Sequence, residues 1–186
     1  MKKAITILAF PALRKSLLIL ILTATFPLFG QVDTVFWFSV PFVGEHGNAN
    51  SEIVVANMSK TSEVTVTLTN PANPSGGIPA AGLISKIPAG GSMRIGLNQY
   101  YGKNGTLYAN NPNAITKNGL LITASSEITV YYEQGRDGAN VDLFSLKGTN
   151  ALGTDFMLPF QNEYNTWSNQ SSYSSADIVA TDNNTS

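Results

Sequence analysis

The segment Val64-Thr65-Val66-Thr67-Leu68-Thr69 decides the fold class, because a large apolar residue alternates with threonine along its whole length. Successive side chains of a β-strand point to opposite faces, so this pattern predicts a half-buried strand with a polar outer face. Residues 70–77, Asn-Pro-Ala-Asn-Pro-Ser-Gly-Gly, are turn-forming and end the strand. The apolar segment 53–58 precedes it, and Ser59-Lys60-Thr61-Ser62 predicts a turn that makes the two segments a hairpin.

The two-residue period recurs along the rest of the chain, and no segment after residue 31 shows a helical period over a dozen residues. Further strands are predicted at 83–87 with 93–97, at 119–124 with 128–132, and at 34–42, 141–146, 156–160 and 178–181. About ten short strands spaced roughly 8–12 residues apart are typical of an all-β, antiparallel β-sandwich or jelly-roll-like fold. Two such sheets would bury their Val, Ile, Leu and Phe faces against each other.

The composition is that of a loop-rich extracellular β domain. The chain has 186 residues, which is the usual length of one domain. Only 12% of the residues are charged, about half the usual share, and Asn, Thr, Ser and Gly fill the deficit. The sequence contains no cysteine, which excludes disulfides, Cys-ligated zinc and thiol catalysis together.

Residues 1–30 have the pattern of a secretory signal peptide. Basic residues lie at positions 2, 3, 14 and 15, and the uncharged run Ser16–Phe29 follows them. A membrane-spanning helix needs about 20 apolar residues, and this run is shorter and is closed by Pro27. We therefore expect cleavage before Gln31, with an uncleaved N-terminal membrane helix as the alternative. The remaining chain, 31–186, is predicted as a single β-rich domain with no transmembrane helix.

The charge that remains after export disfavours nucleic acid as a partner. Without Lys2, Lys3, Arg14 and Lys15, seven basic residues face twelve acidic ones, a net charge of −5. No basic patch is left to neutralise phosphates. Eukaryotic secreted domains of this size often carry disulfides, so the lack of cysteine favours a bacterial exported protein. The sequon at Asn57-Met58-Ser59 would matter only in a eukaryotic secretory route.

The C-terminal segment 175–182 predicts a strand that enters a turn at Asn183-Asn184. A hairpin partner would be expected to follow such a turn, but the sequence given stops at Ser186. On this basis we expect the β-rich domain to be truncated at its C-terminal end.

Candidate catalytic groups are few, and we expect no enzyme activity. His46 is the single histidine and lies in a Gly/Asn-rich segment that is typical of a surface loop. No Gly-x-Ser-x-Gly element occurs anywhere in the chain. Carboxylate pairs of the kind that hydrolyses sugars, Glu45 with Glu52 or Asp137 with Asp142, are expected by chance among twelve acids.

Ligand-binding candidates are aromatic. Tyr100 and Tyr101 lie in the least regular stretch, 98–117, and are the predicted contact residues of a binding loop. A wider set could form a sugar-stacking platform, although strand aromatics more commonly fill a core: Trp37, Tyr100, Tyr101, Tyr108, Tyr132, Tyr164 and Trp167.

Oxygen-bearing side chains at Asp137, Asn140 and Asp142 are a calcium candidate, since calcium takes six to eight oxygen ligands. The spacing is not that of an EF-hand loop, and an Asx-rich turn between two strands explains these residues equally well. No cofactor is otherwise expected.

Three segments taken together resemble a known family. They are Ile53-Val54-Val55-Ala56-Asn57 leading to Val64-Thr65-Val66-Thr67-Leu68-Thr69-Asn70-Pro71; Lys117-Asn118-Gly119-Leu120-Leu121-Ile122-Thr123-Ala124-Ser125-Ser126-Glu127-Ile128-Thr129-Val130-Tyr131; and Asp142–Leu146 through Ala151–Phe156 to Ser175–Thr181. Their order and content over about residues 35–186 resemble the N-terminal domain of IgGFc-binding proteins, which has homologues in bacterial secreted and surface proteins.

The resemblance implies an exported all-β module with a binding or adhesive role and no catalytic residues. It does not imply that this chain binds immunoglobulin. The sequence therefore predicts a non-catalytic binding module of a bacterial secreted or cell-surface protein, with an extracellular protein or glycan as ligand. The alternatives are a carbohydrate-active enzyme or its sugar-binding accessory domain, and a purely structural spacer.

Overall fold

A computed structural model describes residues 31–41, 51–74, 77–97, 115–134, 142–158, 165–166, 170–171, 176–182 and 185. The predicted signal peptide, His46, Tyr100, Tyr101, Asp137 and Asn140 lie outside the described residues.

Short antiparallel strands make up nearly all of the regular structure. They are β1 (Val32–Phe38), β2 (Ser51–Asn57), β3 (Val64–Thr69), β4 (Leu83–Ile87), β5 (Ser92–Gly96), β6 (Leu120–Gln134), β7 (Asp142–Ser145), β8 (Asn165–Thr166) and β9 (Gln170–Ser171). A 3-10 turn at Gly148–Ala151 follows β7, and the described residues contain no α-helix. The prediction of an all-β, antiparallel fold is confirmed.

The long strand β6 organises the molecule, because four other strands pair with it directly. Its first part, 120–124, lies between β1 and β3, and its last part, 128–134, pairs with β2 along one edge. Strand β7 pairs with residues 131–134 of β6, on the edge opposite β2. Strand β4 extends the sheet beyond β3, and β5 extends it beyond β2. The seven-stranded sheet therefore has two halves that share β6.

The two halves separate at Ser125-Ser126-Glu127. Pairing with β3 ends at Ala124 and pairing with β2 begins at Ile128, while β1 shifts register between Asp33 and Val35. The prediction of a hairpin turn at 125–127 is wrong. On both sides of Ser125-Ser126-Glu127, the even-numbered residues of β6 face the interior. The alternation of inward and outward side chains therefore continues through these three residues. None of the three is a Gly, Asn or Asp, the residues that tight hairpin turns favour.

Two further hairpins were predicted with the wrong partners. Strand β2 pairs with β5 and β6 and not with β3, and β4 pairs with β3 and not with β5. The connections 58–63 and 88–91 therefore run between the two halves of the sheet. Turn residues specify where the chain reverses but not which strand receives it, because every strand offers the same backbone donors and acceptors. Residues 156–158 and 178–181, also predicted as strands, are not paired in any ladder.

The inner faces of both halves share one core. Phe38 pairs beside Leu120 in the first half and Tyr132 belongs to the second, yet their ring centroids are 4.9 Å apart. The sheet is thus folded upon itself about β6. The buried apolar side chains are Phe36, Phe38, Val40, Ile53, Val55, Val64, Val66, Leu68, Ile78, Ile87, Ile95, Leu97, Leu120, Ile122, Ile128, Val130, Tyr132 and Leu146.

Candidate functional site

An aromatic groove of about 340 Å³ lies between the end of β1 and β7. The end of β1, Val35–Phe38, pairs with the first part of β6, and β7 pairs with its last part, so the groove lies where the two halves meet. The segment 176–182 forms its third side through Asp177 and Val179. The lining residues are Trp37, Phe38, Ser39, Pro41, Phe144, Asp177 and Val179. This volume is at the small end of the range for ligand sites, about 300–1,000 Å³.

The aromatic wall of the groove is anchored in the core. Phe144 packs at a centroid distance of 5.1 Å from Tyr132 and 6.3 Å from Phe38, and both contacts are tilted. Tyr132 is fully buried, and its hydroxyl donates a hydrogen bond to Ser51 Oγ at 3.1 Å. Phe144 itself remains 40% exposed. Tilted rings at these distances attract one another, so Phe144 is held in place while part of its surface faces the groove.

Residues 176–182 contribute the only carboxylate among the described residues that line the groove. Asp177 and Val179 are two positions apart in the sequence, and both line the groove. Val179 packs against the chain just before β6, where a Cβ added to Gly119 would lie 3.2 Å from Val179 Cγ1. Because Gly119 has no side chain, the side chain of Val179 can occupy this space.

The carboxyl of Asp177 is partly desolvated by its apolar neighbours. The residue as a whole is exposed, yet burial raises the pKa of Asp177 above its ordinary value of 3.8. No described residue donates a hydrogen bond to this carboxyl or forms an ion pair with it. The Asp177 carboxylate is therefore less stable here than in water. A ligand with a hydrogen-bond donor or a positive charge would stabilise it.

A cluster of charged residues lies on the outer face of the half of the sheet that contains β2 and β5. Glu52 of β2 and Glu133 of β6 stand directly opposite each other, and Arg94 of β5 donates to both carboxylates. The Arg94 Nη1 to Glu52 Oε2 distance is 2.8 Å, and these hydrogen bonds raise the pKa of Arg94. Two like charges directly across a ladder repel each other. Arg94 offsets that repulsion and links three strands, so the cluster has a structural explanation.

The structure places few of the residues singled out in the sequence. Trp37, one of the platform candidates, lines the groove, whereas Tyr132 from the same set is a core residue. Asp142, the described member of the calcium candidates, begins β7, and its Oδ1 accepts the Leu143 backbone N–H at 2.8 Å. The described part of the chain contains no group of three or more His, Asp or Glu side chains that could hold a metal ion.

The sequence did not predict that Phe38, Phe144 and Asp177 line the same groove. Phe38 and Phe144 were expected only as strand residues, and Asp177 only as part of a C-terminal strand. Their separation in the sequence hides their proximity, and no local motif joins them.

Comparison of the chain with models of known families, with curated proteins and with solved structures finds no match. Within the described residues, no helix has the length and apolar character required to span a membrane.

Proposed function

We propose that this chain is a non-catalytic binding module of an exported bacterial protein, and that the groove between β1 and β7 is its contact surface. The observation that carries the proposal is the combination of Trp37, Phe38 and Phe144 with a partly desolvated carboxylate, Asp177. A mostly apolar concavity with one placed polar group is the usual composition of a ligand site.

Three sequence features support the exported, adhesive part of the proposal. They are the signal-like residues 1–30, the cysteine-free and weakly charged composition, and the resemblance to the IgGFc-binding N-terminal domain. The ligand is then an extracellular protein or a glycan, and Tyr100 and Tyr101 stay the predicted contact residues of a binding loop.

A sugar-binding accessory domain is the second candidate, because the same groove offers aromatic faces beside a hydrogen-bond acceptor. Sugar rings present apolar faces to aromatic side chains and hydroxyls to carboxylates. A glycan array compared with a panel of extracellular proteins distinguishes the two candidates. A structural spacer would bind nothing on either.

The groove itself is tested by Trp37→Ala in the exported chain. We expect this change to reduce binding to any array ligand, with an unchanged circular dichroism spectrum as the check on folding. Ile84→Ala is the matched control, because Ile84 is a 63% exposed apolar residue on the opposite edge strand β4. Undiminished binding by the Trp37 variant would show that another surface makes the contact, and glycan hydrolysis by the purified chain would refute the non-catalytic reading.

Export is tested separately by N-terminal sequencing of the protein secreted from a bacterial host. The expected product begins within a few residues of Gln31. A membrane-bound product that retains Met1 would contradict the signal-peptide prediction and support the uncleaved membrane helix.

A further inference from the structure

We propose that the groove between β1 and β7 binds an arginine side chain of a partner protein, with the guanidinium between the aromatic residues and the Asp177 carboxylate. This inference rests on the proposed function, since it names the chemistry that the groove would recognise.

Charge complementarity is the first reason. Among the described residues that line the groove, Asp177 is the one charged residue and none is Lys or Arg. Its carboxyl lacks a donor from any described residue. The chain after residue 30 carries a net charge of −5, so the long-range field of the domain also attracts a cation.

The aromatic residues are the second reason. A cation over the face of an aromatic ring is attracted by the ring quadrupole, most strongly over tryptophan. Trp37 and the partly exposed Phe144 lie on two sides of the groove, and Asp177 lies on the third. A neutral apolar ligand would use these rings but would leave the carboxylate without a partner, at a cost in binding.

Arginine suits this combination better than lysine does. Its guanidinium is planar, stacks on rings, and forms two parallel hydrogen bonds with a carboxylate. A lysine ammonium is more strongly hydrated and would lose more solvation in an aromatic groove. The groove volume of about 340 Å³ admits one long side chain and not a folded element.

The test uses three small probes against the chain beginning at Gln31: Nα-acetyl-argininamide, Nα-acetyl-lysinamide and Nα-acetyl-citrullinamide. Citrulline has nearly the shape of arginine without its charge. The readout is the shift of the Trp37 indole N–H signal in an NMR titration. The chain has two tryptophans, and a Trp37→Phe variant assigns the signal.

We expect arginine to bind about three- to fivefold more tightly than citrulline and lysine to lie between them. Asp177→Asn should remove the advantage of arginine over citrulline, and Asp177→Glu should restore part of it. Asp182→Asn is the matched control, because Asp182 lies in the same exposed segment, outside the groove lining, and its replacement removes the same charge.

Equal binding of arginine and citrulline would overturn the proposal, as would an Asp177→Asn variant that keeps the preference. Equal binding of lysine and arginine would overturn the choice of a guanidinium. If methyl glucoside shifts the Trp37 signal and the arginine probe does not, this inference fails while the binding-module proposal stands. If array ligands bind and no groove variant affects them, the proposed contact surface is wrong.

Discussion

Asp33 joins the start of β1 to the 3-10 turn that follows β7. Its Oδ1 accepts the backbone N–H groups of Thr34 at 2.7 Å and Val35 at 3.3 Å. Its Oδ2 accepts the backbone N–H and the hydroxyl of Thr149, at 2.8 and 2.5 Å. Gly148 has a φ of 58°, and a Cβ there would lie 2.5 Å from Asp33 Cβ, so only glycine allows this approach.

Asp33→Asn should lower the free energy of unfolding at neutral pH by about 1–3 kcal/mol, because the amide nitrogen cannot accept the Thr149 hydrogen bonds. Partial burial alone would raise the pKa of Asp33. The hydrogen bonds from Thr149, Thr34 and Val35 outweigh this effect and lower it below 3.8. A lowered folded pKa means that this stabilisation is complete above the unfolded pKa and disappears as the pH falls through the folded value.

Urea unfolding at about pH 7 and about pH 3 measures this effect, with Asp155→Asn as the control at an exposed carboxylate. The difference in stability between the native chain and the Asp33→Asn variant should shrink in acid. A difference that is independent of pH would show that the carboxylate charge has no part in holding the turn.

Asn57 is a buried amide that fixes both connections between the halves of the sheet. Its Nδ2 donates to the carbonyls of Ser62, Ile87 and Pro88, at 2.8, 3.1 and 3.0 Å, and its Oδ1 accepts the Ser59 N–H at 2.9 Å. The side chain is thus enclosed, although the sequence places Asn57 in a sequon. Its role is structural.

Asn57→Asp should destabilise the fold by about 3 kcal/mol or more, because a carboxylate would face three carbonyl oxygens without a donor. Asn73→Asp is the control, since Asn73 is more exposed and its side chain makes none of these contacts. Thermal unfolding followed by circular dichroism compares the two variants. A mild effect at position 57 would show that the amide network is dispensable.

At the scale of elements, β3 shows how strictly the alternation divides inside from outside. Val64, Val66 and Leu68 are fully buried, and the threonines between them are half-buried on the outer face. Thr65 lies opposite Lys86 of β4 on that face. Neighbouring residues of one strand therefore have opposite environments.

Val66→Asp should cost several kcal/mol, on the order of the stability of the whole domain, because it buries a carboxylate without a partner. Thr65→Asp should change stability by less than about 1 kcal/mol, since the new charge faces Lys86 and solvent. Soluble yield and urea unfolding report both effects. Similar losses at the two positions would show that the register of β3 is wrong.

Strand β6 carries an isolated hydroxyl at the point where the sheet divides. Ser126 is one of the inward-facing positions of β6, and its Oγ is buried without a hydrogen-bond partner among the described residues. Ser126→Ala removes this unsatisfied group and should leave stability unchanged or raise it by up to about 1 kcal/mol. Ser125→Ala is the control expected to destabilise, because Ser125 Oγ accepts the Thr65 N–H at 3.0 Å. A loss of stability in the Ser126 variant, measured by urea unfolding, would reveal a partner for its hydroxyl.

At the scale of the whole molecule, the shared strand predicts a single cooperative unfolding transition. Both halves need β6, and the core is common to them. The chain has no cysteine, so Ile84→Cys on β4 and Leu143→Cys on β7 each place one dye, at residues 63% and 57% exposed. The urea midpoints of the two labelled variants should coincide. Separate midpoints would mean that the halves unfold independently.

The sequence alone determined most of the strand segments and which faces of β2 and β3 are buried. A period of two in β2, β3 and β5 is a local property of the chain, and it follows from the alternation of side chains along any extended backbone. The same local reasoning gave the all-β class and the absence of thiol chemistry. The sequence also shows that inward and outward residues alternate without a break through β6, from Leu120 to Gln134. Ser125-Ser126-Glu127 was nevertheless interpreted as a turn.

Only the tertiary structure decided which strands pair and where the groove lies. Backbone hydrogen bonding is the same for any partner, so the choice of β2 with β5 and of β3 with β4 depends on burying both inner faces at once. Trp37, Phe144 and Asp177 lie in three segments more than thirty residues apart in the sequence, and they share a groove because the sheet folds about β6. A site assembled in this way leaves no motif, since its geometry exists only after the core has formed.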